Sequence, residues 1–547
     1  MAGAVQAICL RETGRDFYGD LLPLFTPGVN DAFYTPAYLY GQAAWIMLFG
    51  KSIFAFRAFV AFVSVITIGF LYAWVKQISS QRIALFVALS ASIMPWSFHF
   101  SRIAWDPPLG VCFLVMGLWA AYRLHRPFLI ALLLSLAAYS YSPLRIAIPI
   151  IWLLLPGIQV KTKLWVIFWS ALLAIPLLLQ MQSPEFMARS ELRALWSPYS
   201  TNQFRNLDSI QLAFVGLEQF FVHFTPQFLF FSGDLNPRHS IGAFGELSYL
   251  DLFTYTASLG TLIYLFFKHR QRPFFSDAEK HLATIALLGI MANTVPAALT
   301  NEGAPHALRT IGAWPFYALL TGALLAFLAR NWPKKILPTV AVIIAVIFFM
   351  LYQFYFYSQY RFSVKDYFLP DDSKINLAYG LMTNEGISCK AVPKEPKPKL
   401  PDELVKIQLK RPIVFSNLGY GALYLGGSWH DQEPWGIWSK PDGALLRFLT
   451  VPPNAKSLSL TLKVIVSSSH PQQTLLVRVN DGPIQTFILK DPVQNTIDLA
   501  LTSQDVMRTH GLEIYLATPG SVNPIDAGIS TVDNRTLGIG LLSAVFR

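Results

Sequence analysis

Residues 53–76 read Ile-Phe-Ala-Phe-Arg-Ala-Phe-Val-Ala-Phe-Val-Ser-Val-Ile-Thr-Ile-Gly-Phe-Leu-Tyr-Ala-Trp-Val-Lys. A helix of this length crosses the hydrocarbon core of a bilayer, about 30 Å thick. Working outward, nine more apolar runs follow, at 82–97, 108–122, 127–143, 145–158, 163–180, 248–267, 281–298, 311–328 and 336–356. Several are short, and only Ser142-Pro143-Leu144-Arg145 divides 127–143 from 145–158. With ten crossings, alternate connections carry Lys76/Arg82, Arg123/Arg126, Lys161/Lys163, Lys268/Arg270/Arg272 and Arg330/Lys334/Lys335. Cytoplasmic connections collect basic residues, so all five lie inside. Fusing the divided pair into one helix would break that bias. The even number places both ends outside.

Composition agrees. Of 547 residues 53% are hydrophobic, 14% aromatic and only 14% charged, with mean hydropathy +0.42. That is too apolar for a soluble globular chain. The net charge of +11 sits in short connections rather than along one face, so it reports topology and not nucleic-acid binding. Cys9, Cys112 and Cys389 are far apart and unpatterned, indicating neither a disulfide framework nor a zinc site. The apolar stretch 2–10 is short and lacks a basic flank, unlike a cleavable signal peptide.

Three regions follow: a transmembrane domain over 1–357, a connector with a Pro/Lys-rich linker over 358–406, and a β domain over 407–547. Outer loops fall at 1–52, 98–107, 181–247 and 299–310, with a turn at Arg145, and they hold most of the polar residues. The stretch 213–224 alternates apolar and polar clusters, as an amphipathic helix at the interface does. Beyond the linker, strands are expected at 444–450, 456–466, 474–480, 484–490, 495–501, 511–518 and 536–545. Asn480-Asp481-Gly482 marks a hairpin. Their regular spacing predicts a sandwich of jelly-roll type.

Six pieces carry a resemblance: ETGRDFYGDLLPLF from Glu12, PWSFHFSRIAWDPP from Pro95, YSYSPLR from Tyr139, FLFFSGDLNPRHS with its following GELSY, EGAPHALRTIGAWP from Glu302, and a C-terminal domain with EPWGIWS and DNRTLGIGLL. In this order they resemble the GT-C superfamily of polyprenyl-phosphate-sugar transferases, in the branch of protein O-mannosyltransferases and aminoarabinose transferases. The resemblance implies a glycosyltransferase of a bacterial inner membrane with its site and C-terminal domain on the periplasmic side. The donor would be a polyprenyl-phosphate-linked sugar and the acceptor a glycan, lipid or protein. In such chemistry a carboxylate deprotonates the acceptor hydroxyl while cations stabilise the leaving phosphate. Family members carry an early acidic residue, and a preceding helix, in a place that here falls at or before Met1-Ala2-Gly3, so the first-loop base is expected ahead of Met1.

Among the residues present, Asp106 is the candidate catalytic carboxylate, either holding a divalent cation (Mg or Mn) or orienting the donor phosphate; a loop aspartate paired with Arg102 is the plainer alternative. Arg309, with His306 beside it, is the candidate donor-phosphate group, since a guanidinium fork fits phosphate; a snorkelling arginine would look the same. Arg102 and Arg145 join them as phosphate candidates. Asp234, Arg238 and His239 form a second polar cluster for donor or acceptor, or else a self-capped turn. Trp429 and Trp435 offer faces for sugar rings, though aromatics in a sandwich more often fill its core. Arg15 and Asp16 read as a structural ion pair within the first loop. A non-catalytic binding relative and a transporter of lipid-linked glycans remain as alternatives. Transport predicts ionisable residues deep in several helices and inverted repeats, and the sequence has neither.

Overall fold

The structure is a computed structural model and describes residues 2–27, 33–180, 194–196, 207–268, 274–301, 303–332, 336–363, 382, 389, 407, 409–416, 421, 424–433, 435–448, 451–452, 454–468, 470–506, 512–529, 533 and 535–547. The linker 390–406, most of the connector, and Arg270, Arg272, Lys334 and Lys335 lie outside the described residues. Internal contacts divide the chain into one unit of Met1–Phe186 with Ser209–Pro398 and a second of Met187–Asp208 with Lys399–Arg547.

The first unit is helical, and a helix falls on each of the ten apolar runs. Four of them, Ile53–Ile78, Tyr249–Phe267, Asp277–Ala298 and Trp314–Asn331, and most of a fifth, Ile336–Tyr355, belong to the five spans long and apolar enough to cross a membrane by themselves; the bent pair Gln81–Ile93 and Pro95–Ser101 makes a sixth if it is one broken span. The chain is a multi-pass membrane protein. Shorter helices at Pro107–Arg123, Pro127–Ser140, Leu144–Leu154 and Val160–Leu173 cover the remaining runs. Proline opens several helices, at Pro36, Pro95, Pro107 and Pro127, because the first turn has no partner for an N–H and proline has none to lose. Large apolar side chains face outward, Phe54 at 81% exposure and Phe354 at 70%, as lipid contact requires.

Caps hold the helix ends. Ser276 and Glu279 form a reciprocal capping box, and buried Glu279 also meets Arg330 at 2.7 Å. Ser248 and Asp251 form another, and the same Asp251 carboxylate accepts from Ser90 at 2.8 Å and Thr321 at 2.6 Å, tying three helices at one buried point.

The N-terminal segment 1–52, expected as an outer loop, contains two helices. Ala2–Thr13 and Pro36–Phe49 are helices, and Ala7 and Ile8 are fully buried. The expected Arg15–Asp16 ion pair does not form. Asp16 instead accepts the N–H groups of Tyr18 and Asp20 at 2.9 Å each, closing its own turn, while Arg15 donates to the Gly19 carbonyl at 2.9 Å. Burial, opposed by those N–H groups, raises the Asp16 carboxyl above the ordinary range. The cysteine reading is corrected too: Cys9 and Cys389 are joined by a disulfide across 380 residues, a pairing that spacing could not reveal. Beside it the Cys389 N–H donates to Glu12 at 3.3 Å, and Glu12 also takes Lys51 at 2.8 Å.

The second unit is an antiparallel β domain. Seven strands fall on the seven expected runs: Gly436–Phe448, Ser457–Lys463, Gln473–Val479, Ile484–Leu489, Asn495–Ala500, Leu512–Ala517 and Gly540–Phe546. Two more were not anticipated, Ile413–Val414 and Leu425–Glu433. The final strand is central, pairing with Ser457–Lys463, Gly436–Phe448 and Ile413–Val414. Leu458, Leu460 and Leu462 are fully buried, the inward half of a period-two pattern. In the hairpin after Val479 the left-handed residue is Asn480, φ 49°, not the glycine.

Candidate functional site

Four of the quoted segments, far apart in sequence, meet in hydrogen bonds. Asp234 lies just past the π-helical turn Gln227–Phe231, held there because its own N–H donates to the Glu246 carboxyl at 3.1 Å. Gly233 precedes it at φ +68°, and a Cβ there would stand 2.3 Å from the Ser240 hydroxyl and 2.7 Å from Glu246 Oε1, so only glycine lets the chain turn this tightly. The Asp234 carboxylate is then surrounded by donors. Oδ1 accepts the Asn236 N–H at 2.8 Å; Oδ2 accepts the Ala307 N–H at 2.8 Å and His239 Nδ1–H at 3.0 Å. His306 Nδ1 stands 3.7 Å from the same oxygen, and the two imidazoles stack with centroids 4.8 Å apart.

The other segments lock onto this core. Trp96 Nε1–H donates to the Ala307 carbonyl at 3.0 Å, Tyr141 to the Leu308 carbonyl at 2.9 Å, and His99 Nε2 bonds the Arg238 carbonyl at 2.9 Å. His223, one residue past the amphipathic helix Ser209–Val222, accepts the His306 N–H on Nε2 at 2.9 Å. A nitrogen that accepts has no proton, so Nδ1 carries it and donates to the Gln219 carbonyl at 2.6 Å. His223 is therefore neutral, in agreement with burial pushing it down to about 4.

Electrostatics sort the carboxyl groups. Burial pushes Asp234 upward, but the His239 hydrogen bond, the pull of both imidazoles and the Asn236 N–H outweigh it, so Asp234 sits below the ordinary carboxylate range. Burial lowers His239 to about 4, which makes it a neutral donor to that carboxylate. Glu246, fully enclosed beside the Asp234 charge, is raised well above the ordinary value by burial first and Asp234 second. Two adjacent carboxyl groups are thus pushed in opposite directions, Asp234 downward and Glu246 upward.

The remaining candidates are placed as follows. Asp106 is buried just before the Pro107–Arg123 helix, where it makes no side-chain cap; its Oδ2 is 3.1 Å from the Thr35 hydroxyl, which also reaches the Ser140 carbonyl at 2.6 Å. Arg102 does not pair with it but lies over Phe98, Phe356 and Tyr357, its guanidinium 5.2–5.4 Å from the three ring centroids. Arg145 donates to the Ala138 carbonyl at 3.1 Å and lies 5.7 Å from the Phe25 ring. Arg309 is half-buried in the turn after His306, its N–H 3.4 Å from His306 Nδ1.

Trp429 Nε1 is shared between the Gly426 and Leu445 carbonyls, and Trp435 donates to Glu433 at 2.7 Å. Lys463 Nζ stands 3.0 Å from the Trp435 ring centroid, so that ring face is already covered. Glu433 and Asp533 both bind Arg535, at 2.9 and 2.7 Å, fastening the approach to the last strand to Glu433 at the end of an earlier one.

For cation binding, Asp106 belongs to no cluster of three ligand-type side chains among the described residues. The one such group is Asp234, His239 and His306, whose donor atoms lie within 4.8 Å of one another. Residues missed at the sequence level are His223 and Glu246, together with the hydrogen-bonding roles of Trp96 and Tyr141. All but His223 lie in the quoted segments.

No protein-family model and no curated protein matches this chain. Among solved structures it is similar to ArnT from Cupriavidus metallidurans bound to undecaprenyl phosphate, at 14% identity and TM-score 0.39, over 62% of this chain and 58% of that one. It is also similar to the Archaeoglobus fulgidus oligosaccharyltransferase in the apo form, at 13% identity and TM-score 0.35, over 64% and 50%. The chain thus spans less than two thirds of the length of either structure. Both scores lie below 0.5, and they stand as likenesses alone.

Proposed function

We propose that this chain is a membrane glycosyltransferase that moves a sugar from a polyprenyl-phosphate-linked donor to a glycan, lipid or protein acceptor on the periplasmic side of a bacterial inner membrane. The observation that carries the reading is the convergence described above: segments from four parts of an apolar bundle, each picked out by its polar residues, are hydrogen-bonded into one buried cluster of Asp234, His239, His306 and Glu246. Burying that many polar groups costs free energy that a purely structural end cap would avoid. The disulfide adds support for the outer placement, since such bonds persist in oxidising compartments.

Arg309 binds the donor phosphate, with His306 fixed beside it. Asp106 orients the reacting groups near the helix start at Pro107. The exposed apolar helix surface supplies the face along which a polyprenyl tail lies. Ten crossings and a jelly-roll topology for the β domain complete the reading.

The test uses the full chain purified into nanodiscs. Binding of a polyprenyl-phosphate sugar is measured together with release of polyprenyl phosphate in the presence of acceptor. Arg309→Ala is expected to abolish donor binding while leaving the protein folded, because a bound phosphate loses its fork. Unchanged binding in the variant would sink the assignment, and donor binding without any release would make the chain a non-catalytic relative.

A further inference from the structure

We propose that Asp234, His239 and His306 bind one transition-metal cation of the zinc class. One carboxylate and two imidazoles form a donor set suited to Zn2+, Co2+ or Fe2+, whereas Mg2+ demands an octahedron of oxygens, several from water. All three residues are more than nine-tenths buried, at 6%, 5% and 8% exposure. Bonds of about 2.0–2.1 Å to a tetrahedral ion place ligand atoms roughly 3.3 Å apart. Asp234 Oδ2 is 3.0 Å from His239 Nδ1 and 3.7 Å from His306 Nδ1, so these separations bracket that value. The third pair has at most 4.8 Å to close from, within reach of a ring rotation.

The cation takes the place of the proton between His239 and Asp234. That proton moves to Nε2 of the same ring, so His239 stays neutral and turns a lone pair on Nδ1 toward the metal. Asp234 contributes a carboxylate already ionised, and its remaining oxygen keeps the Asn236 N–H.

Backbone bonds hold the frame without the metal. The Ala307 N–H fixes Asp234 to the 305–310 turn, and the His306 N–H on His223 fixes that turn to the end of the Ser209–Val222 helix. The backbone that carries the ligands is therefore preorganised, so little loop ordering opposes binding; the rings must turn, and His306 Nδ1 must leave the Arg309 N–H that stands 3.4 Å away. Three protein ligands leave a fourth position for water or a phosphate oxygen. No cysteine takes part.

Metal capture at these residues is measured without sugar transfer, so it stands or falls apart from the transferase reading. The purified full chain, stripped with EDTA, is titrated with Zn2+ by calorimetry and with Co2+ by visible absorption. The expected result is one Zn2+ per chain, an intense four-coordinate Co2+ band, and a rise in melting temperature on adding Zn2+. His239→Ala and His306→Ala each weaken binding at least a hundredfold and abolish both the band and the thermal shift. His470→Ala, an exposed imidazole in the other unit, changes nothing. Should His239→Ala fail to fold, His239→Gln, which keeps an amide donor toward Asp234, reports the same loss. Absence of binding by the wild type, a six-coordinate Co2+ spectrum, or undiminished binding in folded variants would overturn the assignment.

Discussion

Glu246→Gln tests the electrostatic reading of the buried cluster most directly. The side chain is 1% exposed beside an ionised Asp234, and its carboxyl is raised well above 4.5. Between 4.5 and that elevated value the folded chain holds a proton that the unfolded chain has released. A raised acid stabilises fully below the unfolded value, and the contribution drains away as pH climbs to the folded one. Each pH unit in that window costs about 1.4 kcal/mol. The wild type should therefore lose stability progressively through this one group as pH rises from 5. Glutamine has nearly the same shape and keeps an oxygen for the Asp234 N–H, but it has nothing to titrate. The variant should match the wild type near pH 5 and exceed it as pH rises, read as apparent melting temperature of the full chain in detergent. Parallel pH profiles for the two proteins would refute the upward shift of the Glu246 carboxyl.

Three further outcomes are expected. Asp106→Asn should reduce transfer far more than donor binding in the nanodisc assay, and equal losses would move Asp106 to the binding shell. Cys9→Ser should remove the bond to Cys389, seen as a free thiol by mass spectrometry, and lower stability by about 2–5 kcal/mol. Asn480→Ala should cost about 1–3 kcal/mol in the β unit, because the residue sits at φ 49° and its amide bridges Asp505 and the Glu513 N–H; an unchanged denaturation midpoint would refute that.

What could be read from the chain in advance follows physical rules. Apolar runs declared their helices because the bilayer demands length and composition, both local properties. Strands such as Ser457–Lys463 were equally legible from alternation, whereas Leu425–Glu433, Leu-Gly-Gly-Ser-Trp-His-Asp-Gln-Glu, has no period-two pattern and escaped. Asp234, His239 and His306 stood out as polar residues in outer loops, yet their mutual contact is a long-range fact. His223 had no signal beyond ending an amphipathic stretch, and Glu246 passed unnoticed within Gly-Glu-Leu-Ser-Tyr because nothing local shows burial. The hairpin was right in place and wrong in detail, since both Asn480 and Gly482 tolerate positive φ and only the fold chooses between them.

The bond between Cys9 and Cys389 turns the helical unit into a covalent ring. A protease that cuts any single peptide bond between those two residues opens the ring without dividing it. The nicked chain therefore travels intact on a gel until a reductant is added, and only then falls into two pieces. Limited digestion run with and without reductant will thus map the accessible loops between Cys9 and Cys389 by difference, and a map made without reductant will overlook each single cut there.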